Sequence, residues 1–294
     1  MLFVSPSSIA TYENCPMSYF LTKILKVKVP EISYNLGFGH ALAAAQEAFL
    51  IGNAAGVRVD PVPVFVANWD AFAKKSNVVF KSGHTGGSVR EMGSVLAAKF
   101  PDAWDATGFK VLMDRNGKPL LERKLTIALG EDIRMVTKLD LAVVDQAGDT
   151  IILDGKATAA PTSREYAQLA DQLTAYQAAV TAHATNLGIQ APRKVGYWES
   201  VKRAIPKTPR GPGPVVLPPL VVDARSDAQI QAFVRKTRAT AMRIIAGEFP
   251  RTTRHSFNSP CHDCAMLPLC SDRKTSCYVF DKPEDKAIAL RMVS

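Results

Sequence analysis

The sequence predicts an α/β fold built on a mixed central sheet. Two apolar runs, residues 139–144 and 150–153, flank a short polar turn and read as a β-hairpin. A helical pattern then separates that hairpin from a further strand at 194–201, and a crossover helix between strands implies at least one parallel pairing. The order is helix, three strands, helix, strand, with helical additions on both sides.

The elements follow in order along the chain. Ser5-Pro6 is an N-cap followed by Pro at the first helical position, opening a helix to about Leu25 that carries Ile9, Tyr12, Tyr19 and Phe20. Cys15-Pro16 interrupts it, because Pro removes a backbone donor. Residues 26–38 read as a loop. Gly39-His40-Ala41 opens an alanine-rich helix to about Leu50, whose Ala41, Ala44, Ala45 and Ala48 permit close approach to a sheet. Residues 55–110 read as helices at 65–75 and 88–100, with no chemistry and a scaffolding role. Leu120–Leu129 alternates weakly and is the first core strand; Arg134–Val144 and Thr150–Thr158 form the hairpin. Ser163–Leu187 reads as one long helix, with Tyr166, Leu169, Leu173, Tyr176 and Val180 at helical spacing. Lys194–Val201 is a fourth strand. The 201–214 stretch is rich in Pro, Gly and cations and reads as an extended loop. Asp227–Gly247 is a cationic helix, and the tail holds Cys261, Cys264, Cys270 and Cys277. One domain spanning 1–294 is expected, with 51–115 as a helical insertion.

Composition narrows the classes of function. The chain has 294 residues, 47% hydrophobic and 21% charged, an ordinary globular balance. It has no apolar run long enough to span a bilayer, and its first residues lack the basic and apolar regions of a signal peptide. A cytoplasmic protein with no membrane partner is the expectation. The net charge of +9 favours a polyanionic partner, nucleic acid first. Gly37-x-Gly39 is an incomplete dinucleotide fingerprint; there is no Walker A loop and no G-x-S-x-G elbow.

The hairpin carries the chemistry. With Gln146-Ala147-Gly148 as a three-residue loop, Asp145 pairs with Asp149 and Asp140 falls opposite Asp154. Opposed residues share a face, with Cβ atoms roughly 5 Å apart. Lys156, two residues beyond Asp154, shares it too. Two carboxylates between apolar strands repel unless something cationic lies between them, and a divalent metal suits hard oxygens. A surface hairpin with solvated charges is the alternative; both faces of these strands are mostly apolar, which argues for covered strands. His40 could add a nitrogen ligand. Gln172 and Tyr176, four apart, share a helix face.

Cys261-x2-Cys264-x5-Cys270 is a tight tripod, and Cys15 is the only distant cysteine of the five. Four thiolates suit an iron–sulfur cluster or structural zinc, although paired C-x-x-C knuckles are absent. Unligated thiols are the remaining reading, and Cys277 is left over.

Taken in order, these motifs resemble those of the PD-(D/E)XK nuclease superfamily. The resemblance is to its RecB-like branch that carries an iron–sulfur cluster, which includes the nuclease domain of the AddB helicase–nuclease subunit and the CRISPR-associated iron–sulfur exonucleases. The matching features are S-P-S-S-I-A-T-Y-E-N-C-P near the start, G-F-G-H ending at His40, Glu122, Asp140, the D-G-K of 154–156, Gln172-x3-Tyr176 and the terminal C-x2-C-x5-C. They cover residues 5–24, 37–50, 120–200 and 258–271.

The resemblance implies a restriction-endonuclease-like core in α-βββ-α-β order, with extra N-terminal and C-terminal helices joined at an iron–sulfur cluster. It implies that His40, Asp140, Asp154 and the Gly155 carbonyl hold Mg²⁺ or Mn²⁺. Lys156 would be the catalytic lysine, Gln172 and Tyr176 would position the substrate strand, and Glu122 would belong to the catalytic set. Cys15, Cys261, Cys264 and Cys270 would hold a [4Fe–4S] cluster, with residues 248–280 packed on 5–24. The implied activity is a metal-dependent DNA nuclease, an exonuclease on single-stranded ends in recombination, repair or CRISPR-type processing, in the host cytoplasm if the chain is viral. The alternative is a weakly active or non-catalytic iron–sulfur DNA-binding subunit of a helicase–nuclease or CRISPR adaptation complex. A partner helicase or recombination protein would be a separate chain. Lys202, Arg203, Lys207 and Arg210 could grip a DNA backbone; a solvated loop is the alternative. Two positions depart from the family pattern: Thr137, where Gly is common, and Leu141, where Arg is common.

Overall fold

The computed structural model describes residues 1–75, 77–206, 208, 211–252 and 259–293. In chain order the elements are β1 Leu2–Val4, α1 Pro6–Asn14, α2 Pro16–Tyr19, β2 Ile32–Ser33, α3 Tyr34–Ala54, α4 Pro61–Ala73, β3 Val78–Val79, α5 Gly86–Asp105, β4 Lys110–Val111 and β5 Leu121–Ala128. They continue as β6 Ile133–Val144, β7 Thr150–Thr158, α6 Arg164–Leu169, α7 Asp171–Leu187, β8 Lys194–Val201, β9 Val215–Val216, β10 Leu220–Asp223, α8 Asp227–Ile245, α9 Leu267–Asp272 and α10 Pro283–Met292. They divide between two compact units.

One unit comprises Met1–Glu31, Ile127–Val136 and the chain from Gln231 onward. The Ser5 hydroxyl accepts from the Ser8 amide in a capping box that starts α1, and Cys15-Pro16 breaks the helix as predicted. A π-helical turn, Phe20–Ile24, follows α2. β1 runs parallel to the first residues of β6. A separate apolar cluster gathers Met17, Phe20, Leu21 and Leu25 with Met266, Leu269, Tyr278 and Ala289. The early helices and the last segment therefore share one core.

The other unit comprises Ile32–Thr126 and Thr137–Ile230. Its strands run in the order β6-β7-β8-β10, with β4 and β5 paired to β6 and β9 to β8. β6 and β7 are antiparallel, β7 and β8 are parallel, and β10 is antiparallel to β8. This is the mixed sheet that the crossover helix required. Helices α3, α4 and α5 cover one face, where Leu141, Val143, Ile151, Leu153 and Trp198 meet Phe38, Phe49, Phe65 and Phe100. Helix α7 packs on β7 and β8. A mixed sheet flanked by helices is the arrangement of a restriction-endonuclease-like fold.

Three expectations need correction. The segment 26–38 is not all loop: α3 begins at Tyr34, capped by Ser33. Gly37 and Gly39 made that turn read as irregular, but Gly37 is there for contact, since a Cβ would lie 2.1 Å from the Phe72 ring. The 163–187 helix is two helices. Ala170 is extended (φ −65°, ψ 115°), ending α6 and capping α7. The buried Arg225 guanidinium donates to the carbonyls of Ala167 (2.6 Å) and Ala170 (3.4 Å), a tertiary clamp on the joint. Tyr166 and Leu169 are consequently exposed rather than part of the apolar stripe. Finally, the sheet does not end at a fourth strand: β9 and β10, just past the 201–214 loop, add to it.

Close packing beneath the sheet supplies a test. A Cβ on Gly93 of α5 would lie 1.8 Å from the fully buried Phe65 ring, which has no room to move. Gly93→Ala should lower the unfolding free energy by about 1–3 kcal/mol, seen as a lower urea midpoint with an unchanged m value; an unaltered midpoint would contradict this packing.

Candidate active site

The hairpin has the register that its turn chemistry predicts. Gly148 (φ +85°) takes the left-handed position, and the Asp145 carboxylate accepts from the Ala147 and Asp149 amides. Lys194 at the start of β8 pairs with both Asp145 (2.9 Å) and Asp149 (3.0 Å), which pins the turn. Pairing proceeds Val144↔Thr150 to Leu141↔Leu153, so the next step sets Asp140 against Asp154. Asp154 lies beside Tyr197 and Lys156 beside Glu199 in the parallel pairing with β8. These side chains share the sheet face that α7 covers.

Asp154 is fully buried. Its Oδ1 accepts from Gln172 Nε2 (3.1 Å), and the same Nε2 donates to the Tyr176 hydroxyl (2.9 Å). Lys156 Nζ donates to Gln172 Oε1 (3.2 Å) and stands 2.6 Å from Asp154 Oδ2. That ion pair is off hydrogen-bond geometry, leaving Oδ2 without a directed donor. Asp140 Oδ2 accepts the Gly155 N–H at 3.0 Å. The structure thus brings Asp140, Asp154, Gly155, Lys156, Gln172 and Tyr176 together.

Electrostatics follow from this crowding. Burial, reinforced by the Asp154 charge, lifts Asp140 to about 7, against an opposing pull from Lys156. Burial also raises Asp154, while Lys156, Asp140 and Tyr176 act to lower it. Burial and both carboxylates push the Tyr176 phenol upward, so it stays protonated at neutral pH. Two carboxylates held above their ordinary range, one with an oxygen that lacks a directed hydrogen bond, form a hard-donor set that fits a divalent cation.

A second acidic group borders the first. A cavity of about 60 Å³ is lined by Gln46, Glu47, Leu50, Glu122, Asp140 and Gly155, among others. Glu122 has φ +50°, a left-handed backbone uncommon for a non-glycine residue, and pairs with Lys138. Burial raises Glu47, and the Glu122 charge raises it further against Lys138. Sequence reasoning missed Glu47 and Lys138. Glu47 lies two helical turns after His40, and Lys138 alternates with Asp140 along β6; both spacings carried the signal.

The remaining candidates are more dispersed. His40 is exposed on α3 and is not among the residues lining that cavity. Among the described residues, no three His, Cys, Asp or Glu side chains lie close enough to hold an ion by themselves. An ion bound here would complete its shell with backbone carbonyl, water or substrate oxygens, as Mg²⁺ usually does. Lys202 is not free: it donates to Asn35 Oδ1 (2.7 Å) and lies over the Phe38 ring, and burial followed by Lys81 lowers its pKa. Arg203 is half-buried, and Lys207 and Arg210 lie outside the described residues. Thr137 is buried and donates to the Leu125 carbonyl, and Leu141 is core.

All five cysteines lie in the first unit, and Cys15, Cys264, Cys270 and Cys277 pack against its apolar cluster. Burial raises the Cys264 and Cys270 thiols, and the Cys15 and Cys261 sulfurs add to the rise in each. Burial acts to raise Cys15 as well, but the Thr252, Ser18 and Met17 amides outweigh it and bring its pKa down. Cys264 and Cys270 are thus each within electrostatic reach of Cys15 and Cys261.

The family model described as the PD-(D/E)XK nuclease superfamily matches residues 4–271. No curated protein matches the chain.

The carboxylate pair makes stability depend on pH. Asp140 titrates near 7 when folded and near 3.8 when exposed, so its contribution is fully favourable below about pH 4 and is lost as pH rises through 7. In metal-free protein, Asp140→Asn should therefore raise stability at pH 8 by up to about 4 kcal/mol, with the difference shrinking toward pH 4. Denaturant titrations in chelator at the two pH values measure this, and identical wild-type and variant midpoints at pH 8 would count against it.

Proposed function

The chain belongs to the PD-(D/E)XK nuclease superfamily, and from that premise we propose that it is a divalent-metal-dependent DNA nuclease, specifically an exonuclease acting on single-stranded ends. The observation that carries this reading is the convergence on one sheet face of Asp140, Asp154 and Lys156, with Asp154 fully buried and its Oδ2 lacking a directed donor. The net charge of +9 suits a polyanionic substrate. Sequence-independent contact with a DNA backbone by Lys202, Arg203, Lys207 and Arg210 belongs to the same proposal.

Asp140 and Asp154, with the Gly155 carbonyl, would hold Mg²⁺ or Mn²⁺, and His40 is the further ligand proposed. A cation bound there supplies Lewis acidity and lowers the pKa of water. Lys156 directs its ammonium at the phosphate and offsets negative charge that grows in the transition state. Gln172 accepts from Lys156 and donates to Asp154, holding the two at fixed separation. Tyr176, protonated, receives the Gln172 amide and braces it. Glu122 borders the same cavity and completes the proposed set.

We place the chain in the RecB-like branch, with Cys15, Cys261, Cys264 and Cys270 holding a [4Fe–4S] cluster. The mutual influence of the four thiols and their apolar surroundings support this. A four-iron cube takes one thiolate per iron, so its ligands stand farther apart than those of a single ion. Zinc would demand a tighter tetrahedron. These 294 residues hold no Walker A loop.

End-labelled single- and double-stranded DNA, incubated with Mg²⁺ or Mn²⁺, tests the activity. Wild type should shorten single strands from an end, and Asp154→Asn and Lys156→Met should each slow this by about 10²–10³-fold while far-UV circular dichroism stays unchanged. Wild-type rates in both variants would remove the site assignment; an inert wild type would remove the nuclease reading.

For the cluster, anaerobically purified protein should be brown, absorb near about 400 nm, as expected for thiolate-bound iron–sulfur centres, and lose both properties in Cys264→Ser. A colourless protein carrying one zinc would overturn it.

A further inference from the structure

We propose that the cleft beside Lys156 is a nucleobase-binding subsite, in which the ring of Tyr166 stacks on an unpaired base of the strand whose phosphate reaches Asp154 and Lys156. The inference rests on the nuclease reading and extends it to substrate selection.

The cleft has a volume of about 420 Å³ and is lined by Lys156, Thr158, Thr162, Tyr166, Gln172 and Tyr197, among others. This falls within the roughly 300–1,000 Å³ of small-ligand sites. Lys156 and Gln172 also contact Asp154, so the cleft adjoins the carboxylate site. A group bound in the cleft would lie next to whatever is held at Asp154.

The lining selects the kind of ligand. Among the described residues its one lining cation is Lys156, already engaged with Asp154 and Gln172. The rest is aromatic, hydroxyl and the Gln172 amide. The Thr158 hydroxyl oxygen is buried without a hydrogen-bond partner, and a polar ligand would satisfy it. Such a surface suits a flat π-system with a few hydrogen-bonding groups better than a second phosphate. Every base offers a π-face, and aromatic side chains use it in single-strand recognition.

Tyr166, which lines the cleft from a six-residue helix, is 63% exposed. That helix is firmly tied. Glu199, itself buried, accepts the Thr162 amide (2.9 Å to Oε2) and hydroxyl (2.6 Å to Oε1) just before it. Arg164 donates to the Val221 carbonyl (3.1 Å), and Arg225 holds the carbonyls at its far end. Arg225 is fixed in turn by Gln177, which donates to its carbonyl and accepts its amide. Tyr197 lies 6.2 Å from Tyr166, ring to ring, with planes tilted 31°. An exposed aromatic on so rigid a mount loses little entropy when a base stacks on it. A duplexed base keeps its own stack, so this subsite favours a free strand.

Full-length protein, held with Ca²⁺ in place of Mg²⁺, is titrated with single-stranded oligonucleotides carrying 2-aminopurine at successive positions from the end. At one position, emission should fall on binding to wild type and to Tyr166→Phe, but not on binding to Tyr166→Leu or Tyr166→Ala. In Mg²⁺, the Leu and Ala variants should raise KM roughly tenfold with kcat little changed, and Phe should restore both. Cleavage by wild type with the same quenching and KM in all variants overturns the subsite and leaves the nuclease reading standing. Wild type that neither binds nor cleaves removes both.

Discussion

Two carboxylates forced together on neighbouring strands impose the constraint around which the site is built. The hairpin register leaves no choice: once Gly148 turns the chain, Asp140 must meet Asp154. Asp154 is then fully buried under α7, where water screens its charge little, while Asp140 stays half-buried at the cavity edge. Lys156, Gln172 and Tyr176 are all arranged as responses. The lysine supplies opposite charge, the glutamine links lysine to aspartate, and the phenol braces the glutamine. What remains unsatisfied, one oxygen of Asp154, is the feature a folding argument alone would remove and a cation site requires.

The same face shows how distant segments shape a local site. Arg225 follows β10, some fifty residues beyond the α6–α7 joint whose carbonyls it binds. Without a donor at that joint, the helical pattern would run on. With it, α7 starts afresh at Asp171, Gln172 sits in its first turn beside Asp154, and α6 is left to carry exposed side chains. Glu199 performs a parallel task for the loop ahead of α6. Buried charge here serves geometry, with one guanidinium nitrogen left without a partner.

Legibility in the sequence tracked the range of the interactions. The hairpin was readable because its register is set by five residues around one glycine. β8 was readable from its β-branched and aromatic residues, Val195, Tyr197, Trp198 and Val201, set between turn signals. The N-terminal cap at Ser5 and the break at Pro16 are equally local. By contrast, the Ala170 break has no proline or glycine to announce it, because its cause lies in Arg225. The start of α3 was hidden by Gly37, a residue chosen for the Phe72 ring across the interface. Asp140, Asp154 and Lys156 could be placed on one face from alternation alone. Glu47 could not be joined to them without knowing that α3 lies over that end of the sheet.

The unit that holds the cysteines is assembled from both sides of a long interruption. Its apolar cluster needs Met17, Phe20 and Leu21 as much as Met266, Leu269 and Tyr278. During synthesis, roughly 240 residues separate these contributions, or about 12–48 s at ribosomal speeds. For that time the first helices have no core to enter, with Cys15 and its aromatic neighbours uncovered. A nascent chain would therefore carry the Cys15 thiol unsheltered, and chaperone capture or premature thiol oxidation would act first on the earliest residues made.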